Sequence, residues 1–231
     1  MPWWTAPWAG LPCTTEKQID MARNKSGKLA ETKEMANILE APEHLRGQWA
    51  AHFANPAPLV LELACGHGYY TLALARRNPL GNYMGIDIKG ARLWKGGKIA
   101  LAENLHNVRF MRCRIEMINK YFAPSEVDEI WITFPDPQPK KDNNRLTHPF
   151  FLEKYRQMLK PGGVVHLKTD NTPLFEFTLG AIAGMGIKPG AMTRNLYKSK
   201  LYEDEMLQVS THYEEMFVAD GAQIKYLNFR L

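Results

Sequence analysis

Cysteine is scarce in this chain of 231 residues: Cys13, Cys65 and Cys113 are the whole complement. They show neither the short spacings of a zinc site nor the even number of a disulfide framework, so no metal and no bridge is expected. Long apolar runs are missing as well. None approaches the roughly 20 residues of a membrane helix, so no membrane span and no membrane partner is expected. The opening residues, MPWWTAPWAGLPC, lack the basic start and apolar segment of a secretory signal. A reducing, cytoplasmic setting is the expectation. Acidic residues are thin in places. The formal charge is +5, and Lys89 to Lys160 carries 14 Lys and Arg against 8 Asp and Glu. Lys188 to Lys200 adds Lys188, Arg194, Lys198 and Lys200 with no acid. A clustered excess of this kind suits an anionic partner such as RNA.

Residues 1–20 carry no periodic apolar pattern and are expected to be an unstructured lead or an artefact of start-site choice. Residues 21–57 read as a basic and helical extension, with 34–54 helical on the spacing of Met35, Ile38, Leu39, Leu45, Trp49 and Phe53. From residue 58 to 231 short apolar strands alternate with helices. The strands are LVLELA, NYMGIDI, NVRFMRC, VDEIWITF and VVHLKT, and AQIKYLNFRL closes the chain as one more strand, expected antiparallel. Such alternation implies parallel βαβ units and one mostly parallel sheet with helices on both faces. Gly96 and Gly97 are expected to weaken the helix that contains them. Trp131 and Phe134 read as core residues.

The turn after the first strand, ELACGHGYY, holds Glu62, Gly66 and Gly68. Glycines there let backbone approach a ligand. Asp87 ends the next strand, about 20 residues on, where a carboxylate binds ribose hydroxyls. A dinucleotide site requires a third glycine, but Tyr69, Tyr70 and Thr71 stand there. A nucleoside ligand without phosphates is the better fit, and Glu62 would repel phosphate yet can orient an ammonium. A tight turn with no ligand is the alternative. The constellation resembles the class I S-adenosylmethionine-dependent methyltransferases, which implies a seven-stranded Rossmann-like sheet with Gly66, Gly68 and Asp87 on the cofactor. That family often has an Asp after the third strand. Arg114 is at that place here, so Ile115 and Glu116 become the adenine neighbours.

The fourth strand ends in ITFPDPQPKK. Pro135 should hold Phe134 extended, and Pro137 should do the same to Asp136, fixing that carboxylate at the sheet rim. Lys140 and Lys141 follow. LKPGGVVHLKTDN brings Asp170 to the rim of the next strand, and STHYEEMF carries Thr211, His212, Tyr213 and Glu214. Thr211 and Glu214 also read as a helix start.

Together these stretches resemble the bacterial tRNA (guanine-N7-)-methyltransferase family over residues 21–231. The resemblance implies S-adenosylmethionine as cofactor and tRNA as partner, with a variable-loop guanine as target. It puts Glu62, Asp87 and Asp136 in the cofactor and catalytic pocket, Asp136 being the catalytic residue. Lys140, Asp170 and Thr211 to Glu214 would bind substrate. Gln138 stands where the family usually has Trp, and DNNRL leaves only Arg145 of its usual basic run. A weaker phosphate grip is expected there, offset by Arg23 to Lys33 or Lys188 to Lys200. The competing readings are a methyltransferase acting on a small molecule or protein, and a non-enzymatic RNA-binding module. Monomer and homodimer are both compatible with the sequence.

Overall fold

The computed structural model describes residues 25–231, so the expectation for residues 1–20 lies outside it. Eight strands form one sheet: β1 (Ile38–Glu40), β2 (Leu59–Leu63), β3 (Asn82–Asp87), β4 (Val108–Arg112), β5 (Val127–Thr133), β6 (Leu159–Thr169), β7 (Pro189–Thr193) and β8 (Lys225–Arg230). Their order is β1-β4-β3-β2-β5-β6-β8-β7. Neighbours run parallel from β1 through to β6, and β8 lies antiparallel between β6 and β7. The helices are α1 (Lys25–Thr32), α2 (Trp49–His52), α3 (Tyr69–Arg77), α4 (Gly90–Ala102), α5 (Pro149–Met158), α6 (Thr172–Gly184) and α7 (His212–Ala219).

The sheet has eight strands rather than the seven expected, and 34–54 is not a continuous helix. Ile38 and Leu39 pair instead with Phe110 and Met111 on the free edge of β4. The Phe110 N–H donates to the Asn37 carbonyl at 2.8 Å. A helical spacing of apolar residues is a weak prior, and an unpaired strand edge overrides it. Within this stretch only Trp49–His52 is α-helical.

Strand alternation divides the core. Leu59, Leu61 and Leu63 enter one apolar layer with Trp49, Leu152 and Phe175. Val60 enters the other, with Tyr70, Leu93, Phe110, Trp131 and Tyr226. Trp131 is core, as expected, its ring stacked on His166 at 4.0 Å between centroids. Glu62 faces the second layer, which carries it towards α3. The carboxyl ends of β2 to β6 therefore share one rim, where ligands of open α/β sheets bind.

Gly96 and Gly97 prove to be close-packing points. A Cβ on Gly96 would lie 2.5 Å from the His67 carbonyl oxygen and 2.7 Å from the Phe110 ring. The glycine thus lets α4 sit against the turn after β2. A Cβ on Gly97 would come nearest to side chains alone, Ile38 Cδ1 and Met35 Cε at 2.7 Å and Ile38 Cγ1 at 3.0 Å. Gly97→Ala is expected to stay within about 1 kcal/mol of wild type, because its propensity gain offsets slight crowding. Gly96→Ala should lose about 1–3 kcal/mol by overpacking against backbone. Urea denaturation of both variants checks this, and equal stabilities would show that α4 does not depend on the close approach.

Candidate functional site

The turn after β2 is made by three left-handed residues, Ala64, Gly66 and Gly68, with φ of 57°, 58° and 74°. Its donors point inwards. The Gly66 N–H donates to Asp87 Oδ2 at 3.0 Å, and the Gly68 N–H to the Cys65 carbonyl at 2.8 Å. A phosphate cradle needs such donors free, so the turn is unsuited to pyrophosphate. Asp87 accepts a second backbone bond at Oδ1, from Lys89 at 2.8 Å. It joins the ends of β2 and β3 and retains lone pairs for a ligand.

Glu62 is buried at the inner wall of this rim, 3% exposed. Oε1 accepts from the Thr133 hydroxyl at 2.7 Å, and Oε2 accepts from the N–H of Thr71, at 2.8 Å, and from its hydroxyl. Burial pushes its pKa up to about 7, against the pull of the threonine hydrogen bonds. A cation arriving beside it would restore its charge.

Two cavities open at the rim. The larger, of about 430 Å³, is lined by Glu62, Gly66, Asp136, Asp170, Thr211 and Tyr213 among others. The smaller, of about 260 Å³, is lined by Asp87, Ile115, Glu116 and Asp136 with the apolar Leu146 and Phe151. Ala64 and Asp136 line both cavities and mark their junction. Carboxylates outnumber cations in each. Glu62, Asp136 and Asp170 face Arg92 in the larger, and Asp87, Glu116 and Asp136 face Arg114 in the smaller.

Asp136 is mounted differently from the expectation. Phe134 is not extended: its φ is +47°, and Gln138 has the same value. A left-handed Phe costs about 1–3 kcal/mol and persists only where surroundings hold it. Here the Phe134 N–H donates to the Lys168 carbonyl at 2.8 Å, and its ring packs on Phe217 at 5.9 Å. Gln138 N–H donates to Asp136 Oδ1 at 3.0 Å. Behind the loop Arg145 is buried, donating to the Pro137 carbonyl at 3.0 Å and stacking over Phe177. Arg145 also pairs with Asp142 at 3.0 Å. The last arginine of the shortened basic run is thus a brace for the loop, not a phosphate ligand.

A model for the family described as "Putative methyltransferase" matches residues 56–227. A tRNA (guanine-N(7)-)-methyltransferase of Christiangramia forsetii is 41% identical over 221 residues, covering 91% of this chain and 99% of that one. Its counterpart in Porphyromonas gingivalis is 46% identical over 188 residues, covering 81% and 77%. The chain belongs to the tRNA (guanine-N7-)-methyltransferase family. Among solved structures, the 16S rRNA methyltransferase KamB superposes with a TM-score of 0.58 at 17% identity, over 82% of this chain and 91% of that one. That likeness shows the class I methyltransferase fold.

Within this family member the remaining expected residues divide. Gly68 lines neither cavity: its Cβ would lie 2.2 Å from Phe110, so packing and φ require glycine there. Lys140 is exposed and also lines neither. His212 opens α7, and its side chain lies outside the described residues. Thr211 caps α7, accepting from the Glu214 N–H at 3.2 Å.

Glu214 is not open to a substrate. It is completely buried and pairs with Lys168 at 2.8 Å, with the Tyr197 hydroxyl donating to it at 3.0 Å. Lys168 also donates to the carbonyls of Val209, at 2.7 Å, and Leu207, at 3.1 Å. Burial pushes Lys168 down and Glu214 up, while their attraction opposes both shifts. Arg92, His67 and Tyr69 line the larger cavity unforeseen. The signal for Lys168 was legible: a lysine inside a buried strand demands an acidic partner. Lys168→Met alone should destabilise by about 3–5 kcal/mol, leaving Glu214 buried and unpaired, and Lys168→Met/Glu214→Leu should recover most of it. Chemical denaturation of the two variants decides, and an unaffected single variant would contradict the pairing's importance.

Proposed function

We propose that the chain transfers the methyl group of S-adenosylmethionine to N7 of a guanine in tRNA, with a variable-loop guanine as the target. The observation that carries this is the position of Asp136 at the junction of the two acidic cavities. The same reading places the work in the cytoplasm. It treats residues 58–231 as the methyltransferase unit and residues 21–57 as a basic extension that contributes β1.

The donor set fits a phosphate-free, cationic nucleoside. S-adenosylmethionine supplies an electrophilic methyl group on a sulfonium. Asp87 would accept from the ribose hydroxyls, on lone pairs its two backbone bonds leave. Ile115, Leu146 and Phe151 give the smaller cavity an apolar lining for a purine ring. Glu62 would face the methionine end, where an ammonium favours its ionised form.

The target base belongs in the larger cavity. Guanine N7 carries a lone pair and no proton, so no general base is needed to expose it. What the chain must supply is alignment and exclusion of water. As the bond forms, the base gains positive charge, and Asp136 offers a carboxylate that accepts from the Gln138 N–H, on a loop that Arg145 braces through the Pro137 carbonyl. Asp170 adds a second carboxylate for the guanine edge. N7 is often engaged in the folded tRNA, so local opening must precede methylation.

Nucleoside mass spectrometry of unmodified tRNA incubated with the chain and labelled S-adenosylmethionine should show N7-methylguanosine. A labelled small molecule or protein without labelled tRNA would contradict the reading. In single turnovers at saturating cofactor and tRNA, Asp136→Ala and Asp136→Asn should each lose about a hundredfold or more. Retention of most of the rate by Asp136→Asn would show that Asp136 positions the base through hydrogen bonds and not through charge.

A further inference from the structure

α4 carries Arg92, Lys95 and Lys98 at three-residue spacing, with Lys89 at its cap, and all four are exposed. On a helix that spacing draws an inclined row across one face, and glycines and apolar residues of α4 occupy the other, at Gly90, Leu93, Gly96, Gly97 and Ala100. From Lys89 to Ala102 there is no acidic residue. Lys98 pairs with Glu31. Arg92 and Lys95 have no ion pair among the described residues.

Two features argue against a merely solvated helix face. Cations in the first turn oppose the positive end of the helix dipole, and cations three apart repel one another. Arg92 and Lys95, which Glu31 does not neutralise, therefore work against α4 unless an anion lies on them. It is also continuous with the reaction site. Arg92 lines the larger cavity, and so does Tyr69, over whose ring the Lys95 ammonium lies at 5.2 Å. Further along, Lys28 of α1 lies 5.1 Å over the Trp94 ring, whose N–H donates to Glu31 at 2.7 Å. The positive field reaches the cavity mouth. Burial is the chief cause that holds His67 below its usual pKa, and Lys95, Arg92 and Lys28 add to it.

We propose that the row formed by Arg92, Lys95 and Lys28 is a phosphate track that carries the RNA backbone away from the larger cavity. It rests on the tRNA reading above. A polyanion with regularly spaced charges fits a row of cations whose first member stands at the cavity and whose last reach α1. Lys140 and Lys141 lie on the loop beyond Asp136, so the track adds a separate anchor. With two anchors, the loss of the usual basic run after Lys141 need not release the tRNA.

The test uses the full chain and an unmodified tRNA transcript, with affinity measured by fluorescence anisotropy from low to moderate salt. Lys28→Ala/Lys95→Ala should flatten the plot of log Kd against log salt by about 1.4 to 1.8, at about 0.7 to 0.9 for each phosphate that is no longer neutralised. Lys95→Glu should weaken binding tenfold or more at low salt. Lys28→Arg/Lys95→Arg should behave as wild type. Calorimetric affinity for S-adenosylmethionine should stay level throughout. If wild type binds tRNA with a steep salt dependence and the double variant shares its slope, the track is overturned and the tRNA reading stands. If wild type shows no salt-dependent tRNA binding, both fall. Sedimentation with phosphatidylserine vesicles that depends on these residues, with tRNA binding independent of them, would also overturn it.

Discussion

The rim of this protein depends on Lys168. Its backbone carbonyl receives the Phe134 N–H, which fixes where the chain leaves β5 and turns towards Asp136. Its ammonium, buried on the same strand, gathers the carbonyls of Leu207 and Val209 and the carboxylate of Glu214. One residue thereby holds both walls of the larger cavity, the loop with Asp136 on one side and α7 with Thr211 and Tyr213 on the other. A buried ammonium is tolerated only with its donors satisfied, so the segments that satisfy it must keep their places. The cost of burying the pair is offset by a unique arrangement of segments that sequence separates widely.

The Asp136 loop shows the same division between a strained chain and a rigid support. Two left-handed residues, Phe134 and Gln138, bracket the Pro-Asp-Pro core of the loop. Arg145 closes it from behind through the Pro137 carbonyl. The prolines limit what the loop can do, and the hydrogen bonds to the Lys168 carbonyl and from Arg145 decide which of the remaining shapes it takes. A carboxylate so held loses little freedom on meeting a base, which is the condition for electrostatic stabilisation without reorganisation.

Much of this was legible in the sequence. The alternation of apolar strands with helices was enough for a parallel sheet, and the last strand is antiparallel, as expected. Glu62, Asp87, Asp136 and Asp170 line the cavities because residues at the carboxyl ends of adjacent parallel strands share a rim. Other features needed partners remote in sequence. β1 forms because β4 has an open edge, and β7, PGAMT, is an edge strand with no apolar alternation to betray it. Phe134 departs from the usual pre-proline shape because Lys168 and Phe217 hold it. Gly96 reads as a helix weakness until the His67 carbonyl is placed beside it. Arg145 and Glu214 looked like surface chemistry, and their burial is a consequence of tertiary packing alone.

In the proposed reaction, cofactor and base meet at Ala64 and Asp136, the residues that line both cavities. A crystal structure with S-adenosylhomocysteine tests this most directly. The ribose hydroxyls should lie on Asp87, the purine against Ile115, and the sulfur at the junction beside Asp136. A ligand seated with its sulfur away from Asp136, or its ribose away from Asp87, would contradict that arrangement.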